Sequence, residues 1–313
     1  MIAFPQLRHG VVVALPTPFS FGRPDLPALD LHCRRLLQSG PLALAPCGWT
    51  GEGSLLTAEE HRQVVATTVA AAGGRVAVIA AATSNSSSAA IALARAAEQA
   101  GASAVLALPP FSLSPSADWL TSHFRALHDS VAIPVLLQVG PPHGPQSLPD
   151  TMVRRVVELP RIVGIVDSAG DIAQLPRLRR RLGRERLLLS GDDASQADYR
   201  RAGGDGCLSV AANIAPAITA ALHLACEEGL ASEVRWHDQV LGQLYTALAL
   251  APQPMVVKRL LCRLGVMGDG LRRPLPPLGS DFERRLDRVL ADVLPVERRE
   301  AQRGRATEGR QAA

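Results

Sequence analysis

The sequence predicts an α/β protein, a (β/α)8 TIM barrel with a C-terminal helical appendage. Three features carry that expectation. Eight short apolar runs alternate with helical patterns at intervals of roughly 20–30 residues, the signature of repeated strand–helix units. The runs are continuously apolar, as a parallel sheet covered on both faces requires. After Ile214 the strand signals stop and only helical patterns remain.

In chain order, Gly10 to Leu15 is a β-branched run closed by Pro16-Thr17-Pro18 and reads as strand one. Helical spacing follows from Leu29 to Gln38 and stops at Gly40. Strand two, Leu42 to Ala45, leads into Cys47-Gly48-Trp49-Thr50-Gly51-Glu52. Thr57 with Glu60 three residues on is a capping box, opening a helix to about Ala72. Strand three spans Arg75 to Ala82, and the helix Ser86 to Ala100 ends at Gly101. Strand four, Ala104 to Leu108, stops at Pro109-Pro110; a helix from Ala117 to Asp129 precedes strand five, Pro134 to Gln138. A Gly/Pro-rich loop, Gly140 to Pro145, is followed by a helix from Pro149 to Leu159 and strand six, Ile162 to Val166. An Arg-rich helix from Ala173 to Leu182 leads to strand seven, Arg186 to Ser190, which ends in Gly191-Asp192-Asp193. A short helix to Ala202 precedes strand eight, Gly206 to Val210.

The helices that follow are Ile214 to Glu228, Glu233 to Leu250, Pro254 to Leu264 and Asp281 to Leu294. Residues 1–213 thus form the barrel, and 214–294 hold its eighth helix and the appendage. Residues 295–313 are charged and poor in apolar side chains, so they are expected to be a disordered tail.

Composition excludes several classes of function. Net charge is +4, but the arginine clusters 177–186 and 298–310 have no interleaved aromatics for base stacking. They read as solvated faces, and no nucleic-acid partner is expected. No stretch approaches the ~18 apolar residues of a membrane span, and Met1 to Gly10 lacks the apolar core of a signal peptide. Five widely spaced cysteines without a CxxC pair point to reduced thiols and a cytoplasmic chain. No cofactor signature is present. Lys258 is the only lysine among 33 lysines and arginines. Exchanging Lys for Arg preserves charge, but guanidinium cannot serve as a nucleophilic amine.

In such a barrel the chemistry lies at the C-terminal ends of the strands. The side chains placed there include Thr17, Trp49, Thr50, Glu52, Phe111, Gln138, His143, Val166, Asp167, Asp192, Asp193, Leu208 and Ser209.

Several of these stretches carry a family resemblance. They are Gly48-Trp49-Thr50-Gly51-Glu52 with Leu56-Thr57 and Glu60-His61, Ala100-Gly101-Ala102 through Pro109-Pro110-Phe111, and Ile162-Val163-Gly164-Ile165. Ser190-Gly191-Asp192-Asp193-Ala194 and Gly203-Gly204-Asp205-Gly206 through Asn213 complete the set. Together they span about residues 10 to 265, and the chain resembles the dihydrodipicolinate synthase / N-acetylneuraminate lyase family. The resemblance implies class I aldolase chemistry: a lysine amine on strand six forms an imine with pyruvate or another 2-keto acid. Two hydroxyls after strand two and tyrosines on strands four and five would bind the carboxylate and relay protons. It also implies a homodimer or homotetramer.

At those positions this chain departs from the pattern. The Schiff-base lysine falls on Val166, the first hydroxyl of the strand-two motif on Trp49, and the tyrosines on Phe111 and Gln138. The expectation is a divergent member that has lost imine chemistry, a pseudoenzyme or a binder of a small keto acid or carboxylate. Thr50, Gln138, His143, Gly191 and Leu208 are its expected binding residues.

Two other readings remain open. One is a lyase or hydro-lyase working by acid–base or metal-assisted chemistry, although Asp167, Asp192, Asp193 and His143 match no metal-ligand spacing. The other is a structural subunit of an oligomer. Lys258 is expected to bond to helix or loop carbonyls outside the pocket. His61 is expected to be a helix-surface or packing residue, and the pair His223 and Cys226 and the thiols Cys47 and Cys207 are expected to serve packing.

Overall fold

The computed structural model describes residues 7–110, 116–140 and 150–311. Each expected strand forms: β1 (Gly10–Ala14), β2 (Ala43–Ala45), β3 (Ala77–Ala82), β4 (Ala104–Ala107), β5 (Val135–Val139), β6 (Ile162–Asp167), β7 (Leu187–Ser190) and β8 (Gly206–Ser209). All pair in parallel with their sequence neighbours. β1 also pairs with β8, in the register Val11 to Cys207 and Val12 to Leu208, which closes the barrel.

Side-chain alternation explains why the strands are apolar on both faces. Val12, Ile79, Leu106, Leu136, Val166, Leu189 and Leu208 point inward and fill the barrel. Their neighbours Val11, Val13 and Leu44 point outward against Leu29, Cys33 and Val64 of the surrounding helices. On the opposite side Leu137, Ile165 and Leu188 pack with Phe124, Leu127 and Leu178.

The barrel helices are α1 (Leu26–Leu37), α2 (Ala58–Ala72), α3 (Ser87–Gln99), α4 (Ala117–Ser130), α5 (Asp150–Val156), α6 (Leu175–Leu182), α7 (Gln196–Arg201) and α8 (Pro216–Glu227). At α2 the capping box is formed in both directions. Glu60 N donates to the Thr57 hydroxyl at 3.2 Å, and Thr57 N donates to the Glu60 carboxylate at 2.9 Å. The appendage comprises α9 (Ala231–Leu248), α10 (Met255–Arg263) and α11 (Glu283–Gln311), which share an apolar core with α8. Among the described residues no helix is long and apolar enough to cross a membrane.

Two features differ from the sequence expectation. Phe19–Ser20 and Arg23–Pro24 pair as a small antiparallel hairpin within the β1–α1 connection, too short to register as an apolar pattern. The tail is not disordered from residue 295: α11 continues through Pro295 to Gln311. Charge concealed the reason. Glu297 caps α8, its two carboxylate oxygens each accepting at 3.0 Å from Ala217 N and Ile218 N. Arg299 stacks over the Trp236 ring at 4.7 Å.

Buried polar groups secure the closure. Asn213 Nδ2 donates to Ala14 O and Val210 O at 2.8 and 2.9 Å, so its Oδ1 is left to accept from His32 Nε2 at 2.9 Å. That bond fixes His32 as the neutral Nε2–H tautomer. Burial, aided by nearby Arg35, lowers its pKa to about 3.

Two outcomes follow from these contacts. A Cβ on Gly164 would stand 2.4 Å from Leu187 O and 2.6 Å from Leu187 Cβ, on the paired strand. Gly164→Val is therefore expected to cost at least about 2 kcal/mol by urea denaturation, since the clash is with backbone. For His32, the folded state stays neutral while the unfolded chain takes up a proton below about 6.5. Unfolding thus binds a proton as pH falls from there toward 3, and stability is lost in that direction. His32→Gln should lose less stability than the parent chain between pH 6.5 and 4, measured by denaturation at each pH.

Candidate functional site

The mouth of the barrel is shaped first by the loop after β2. Cys47 and Glu52 adopt left-handed backbone, with φ of 64° and 52°. Gly53 is obligatory, because a Cβ there would lie 1.7 Å from Cys47 O. The Thr17 hydroxyl donates to Gly51 O at 2.7 Å, tying this loop to the end of β1. The result holds Gly48, Trp49 and Thr50 over the barrel axis.

Opposite them stands the end of β6. Val166 points inward and is 2 % exposed. Asp167 points the other way, where its carboxylate accepts from Ala169 N at 3.1 Å and from the Tyr199 hydroxyl at 3.4 Å. Burial raises its pKa. Ser168 returns to the mouth, and its hydroxyl accepts from Gln138 Nε2 at 3.1 Å. Gly191, just after β7, lies against both. A Cβ there would stand 2.1 Å from Ser168 Oγ and 2.9 Å from Val166 Cγ1, so only glycine fits.

These residues enclose a cavity of about 100 Å³, lined by Trp49, Thr50, Gln138, Ser168, Gly191 and Leu208 among others. Val166 packs in the layer of the barrel core below it. A larger cavity of about 670 Å³ shares the Trp49, Ser168, Gly191 and Gln253 walls and extends to Tyr245 on α9. Gln253 Oε1 is buried without a hydrogen-bond partner among the described residues, leaving one acceptor open at this junction.

The carboxylates expected near the mouth diverge. Asp192 caps the following turn through Ser195 N at 3.0 Å. Asp193 is buried and accepts from Val210 N and Ala211 N, each at 3.0 Å, and from the Ser209 hydroxyl. Its pKa rises to about 6, first through burial. With Asp167 turned to Tyr199, the three acids hold loop geometry and do not converge on one point. Among the described residues no three His, Cys, Asp or Glu side chains cluster as a metal site would need.

Lys258 lies on α10, fully buried and outside the lining of both mouth cavities. Its ammonium pairs with the buried Glu52 carboxylate, donates to Gly270 O at 2.7 Å, and sits over the Phe19 ring at 4.3 Å. The other Glu52 oxygen accepts from Arg272 N at 2.8 Å. Burial pushes the lysine down to about 8 against the opposing pull of Glu52. A lowered pKa is also what an activated amine shows, but here the ammonium donates to Glu52 and Gly270 O and faces the Phe19 ring.

Of the expected site residues, Trp49, Thr50, Gln138, Gly191 and Leu208 meet around the small cavity, with Val166 beneath. Phe111 and His143 lie outside the described residues. Sequence reading missed Ser168 and Gln253. Ser168 was accessible by alternation, two residues beyond Val166 on the same side. Gln253 carries no local signal, because the fold of the appendage brings it to the mouth. Lys258 bonds a loop carbonyl as expected, but its pairing with Glu52, 206 residues away in sequence, was not legible. His61 and His223 are buried, bonded to Ala81 O at 2.8 Å and to Gln196 Oε1 at 2.9 Å. Burial pushes the Cys47 and Cys207 thiols up.

Breaking the buried pair from one side strands a charge. Lys258→Met is expected to cost about 3–5 kcal/mol in urea denaturation. Lys258→Met combined with Glu52→Leu should recover part of that loss.

Comparison with known proteins places this architecture. The model of the Dihydrodipicolinate synthetase family matches residues 7–293. The chain is 41% identical over 285 residues to the 4-hydroxy-tetrahydrodipicolinate synthase of Hyphomonas neptunium, covering 90% of this chain and 97% of that one. Among solved structures, the 4-hydroxy-tetrahydrodipicolinate synthase of Methylacidiphilum fumariolicum SolV superposes with a TM-score of 0.89 at 31% identity, over 94% of this chain and 98% of that one. The chloride-inhibited dihydrodipicolinate synthase of Acinetobacter baumannii, complexed with pyruvate, gives a TM-score of 0.87 at 30% identity, over 92% and 99%.

Proposed function

The chain belongs to the dihydrodipicolinate synthetase family, and from that premise we propose that it binds a small keto acid or carboxylate at the barrel mouth without forming an imine. The observation that carries this reading is the placement of its only lysine. Lys258 is sealed against Glu52, Gly270 and Phe19, while the last inward-facing residue of β6 is the apolar Val166.

The chemistry left at the mouth suits non-covalent binding. Thr50, Gln138 and Ser168 are neutral groups, able to donate to a carbonyl or carboxylate oxygen. Trp49 and Leu208 provide apolar walls. Such a site orients a ligand by a few hydrogen bonds, with no nucleophile to attack it. Imine formation is the pathway of class I chemistry itself, so its loss is no modest reduction in rate. The accompanying assembly is a homodimer or homotetramer, as the family resemblance implies, and light scattering after gel filtration measures it.

A second reading is favoured by the relatives. Identity of 41% to a 4-hydroxy-tetrahydrodipicolinate synthase over 90% of the chain supports the same activity here, by a route that does not use an amine on β6.

One experiment separates imine from non-imine chemistry. The protein is incubated with pyruvate and borohydride and its intact mass measured. The unmodified mass is expected, together with saturable pyruvate binding in calorimetry. A reduced pyruvate adduct mapped to Lys258 would overturn the proposal. Synthase turnover without any adduct would favour the second reading.

A further inference from the structure

A second cavity, of about 430 Å³, lies far from the barrel mouth between the end of α1 and helices α8, α9 and α11. We propose that it binds a small aliphatic primary amine as its ammonium ion, with Glu300 and His237 as polar anchors. The proposal is independent of the chemistry at the barrel mouth, because the two cavities share no lining residue.

The first argument is an unmet hydrogen-bonding demand. His237 lines the cavity and is 2 % exposed; the Glu233 backbone one turn earlier approaches the ring on one side, but Nε2 has no hydrogen-bond partner among the described residues. A buried imidazole in that condition is costly, and such groups call for a partner. Its Nε2 stands 3.9 Å from Glu300 Oε2, too far for a direct bond. With Nε2 as the acceptor nitrogen of the neutral ring, a group bearing several N–H donors placed beside both atoms serves Nε2 and the carboxylate together. A primary ammonium has three.

The second argument is the distribution of charge. Arg299 and Arg303 approach Glu300 through Oε1, at 3.5 and 3.3 Å, leaving Oε2 on the side of His237. Glu228 on the α8 end and Glu233 on α9 also line the cavity, against Arg303 as its one lining cation. Burial lowers the His237 pKa, so near neutral pH the ring is uncharged and adds no positive charge. Even with Arg299 and Arg303 both set against Glu300, three carboxylates outnumber the two guanidiniums among the described residues, a balance that favours a cation over a carboxylate ligand.

The third argument is shape. Ala217, Ala220, Ala221 and Leu224 of α8 form an apolar wall opposite the polar anchors. Small alanines leave room for an alkyl chain, and Leu224 is exposed at the surface. An ammonium head with a short aliphatic body matches both walls. Because Glu300 and Arg303 come from α11, occupancy would also fasten that helix to α8 and α9.

The test uses the full chain and three four-carbon probes: n-butylamine, n-butanol and butyrate. Calorimetry is expected to show saturable butylamine binding, at least tenfold weaker butanol binding, and no butyrate binding. Hydrogen exchange should slow in the α11 turn around Glu300 when butylamine is added. Glu300→Gln should weaken butylamine at least tenfold. Glu233→Gln, at an exposed position, should fold normally and weaken it several-fold. Butyrate binding as tightly as butylamine, absence of saturable amine binding, or full affinity in Glu300→Gln would each overturn the proposal. Should Glu300→Gln fail to fold, the comparison of the three probes on the parent chain still decides.

Discussion

The buried pair between Glu52 and Lys258 is the interaction on which the functional end of this barrel depends. Glu52 sits in left-handed backbone in the loop after β2, and its carboxylate serves Lys258 with one oxygen and Arg272 N with the other. Those two partners come from α10 and the segment beyond it, so a single side chain fastens the appendage to the barrel rim. Arg272 extends the joint. It bonds to Leu55 O and Glu60 and stacks over Phe19 at 4.8 Å. Removing water from two charges is expensive, and only dense hydrogen bonding offsets it. Here the surrounding carbonyl, amide and ring supply that compensation, and the motif Gly48 to Glu52 is held in place as a consequence.

That constraint explains why the loop after β2 keeps a recognisable form at the barrel mouth. Gly51, Glu52 and Gly53 answer to the backbone turn and the buried pair. Trp49 and Thr50 face the cavity and answer to whatever occupies it. A similar division runs through β6 and β7. Gly164 is fixed by its contact with Leu187, and Gly191 by Ser168 and Val166. Asp167, Asp192 and Asp193 bond to Tyr199, Ser195 and the β8 turn. The features that mark the family are largely those the fold needs, and they say little about the reaction.

The barrel was legible because its signals are local. Apolar runs, capping residues and punctuating glycines each act within a few residues, and all eight strands form where the runs lie. Much of the mouth was legible too, since alternation from Val166 and the strand-end positions place Thr50, Gln138, Gly191 and Leu208 together. What could not be read depends on distant contacts. Gln253 reaches the mouth only through the packing of α9 and α10. Glu297 and Glu300 looked like solvent-exposed tail residues, yet one caps α8 and the other is 7 % exposed beside His237. The last helix was expected to end at Leu294, yet tertiary contacts on both sides carry α11 through Pro295.

The composition now has a physical reading. Every other basic side chain of the Lys/Arg pair is arginine, and the lone lysine occupies a site that arginine does not suit. The space is closed on all sides, and the donor must meet a carboxylate, a carbonyl and an aromatic face from one compact centre. A guanidinium is larger, planar and fixed in its fork of donors, so it would have to displace Phe19 or Gly270. A Cβ at Gly270 would already stand 2.8 Å from Phe19 O, which shows how little slack the joint has. The single lysine is thus accounted for by its buried ion pair, its carbonyl partner and the closed space around them.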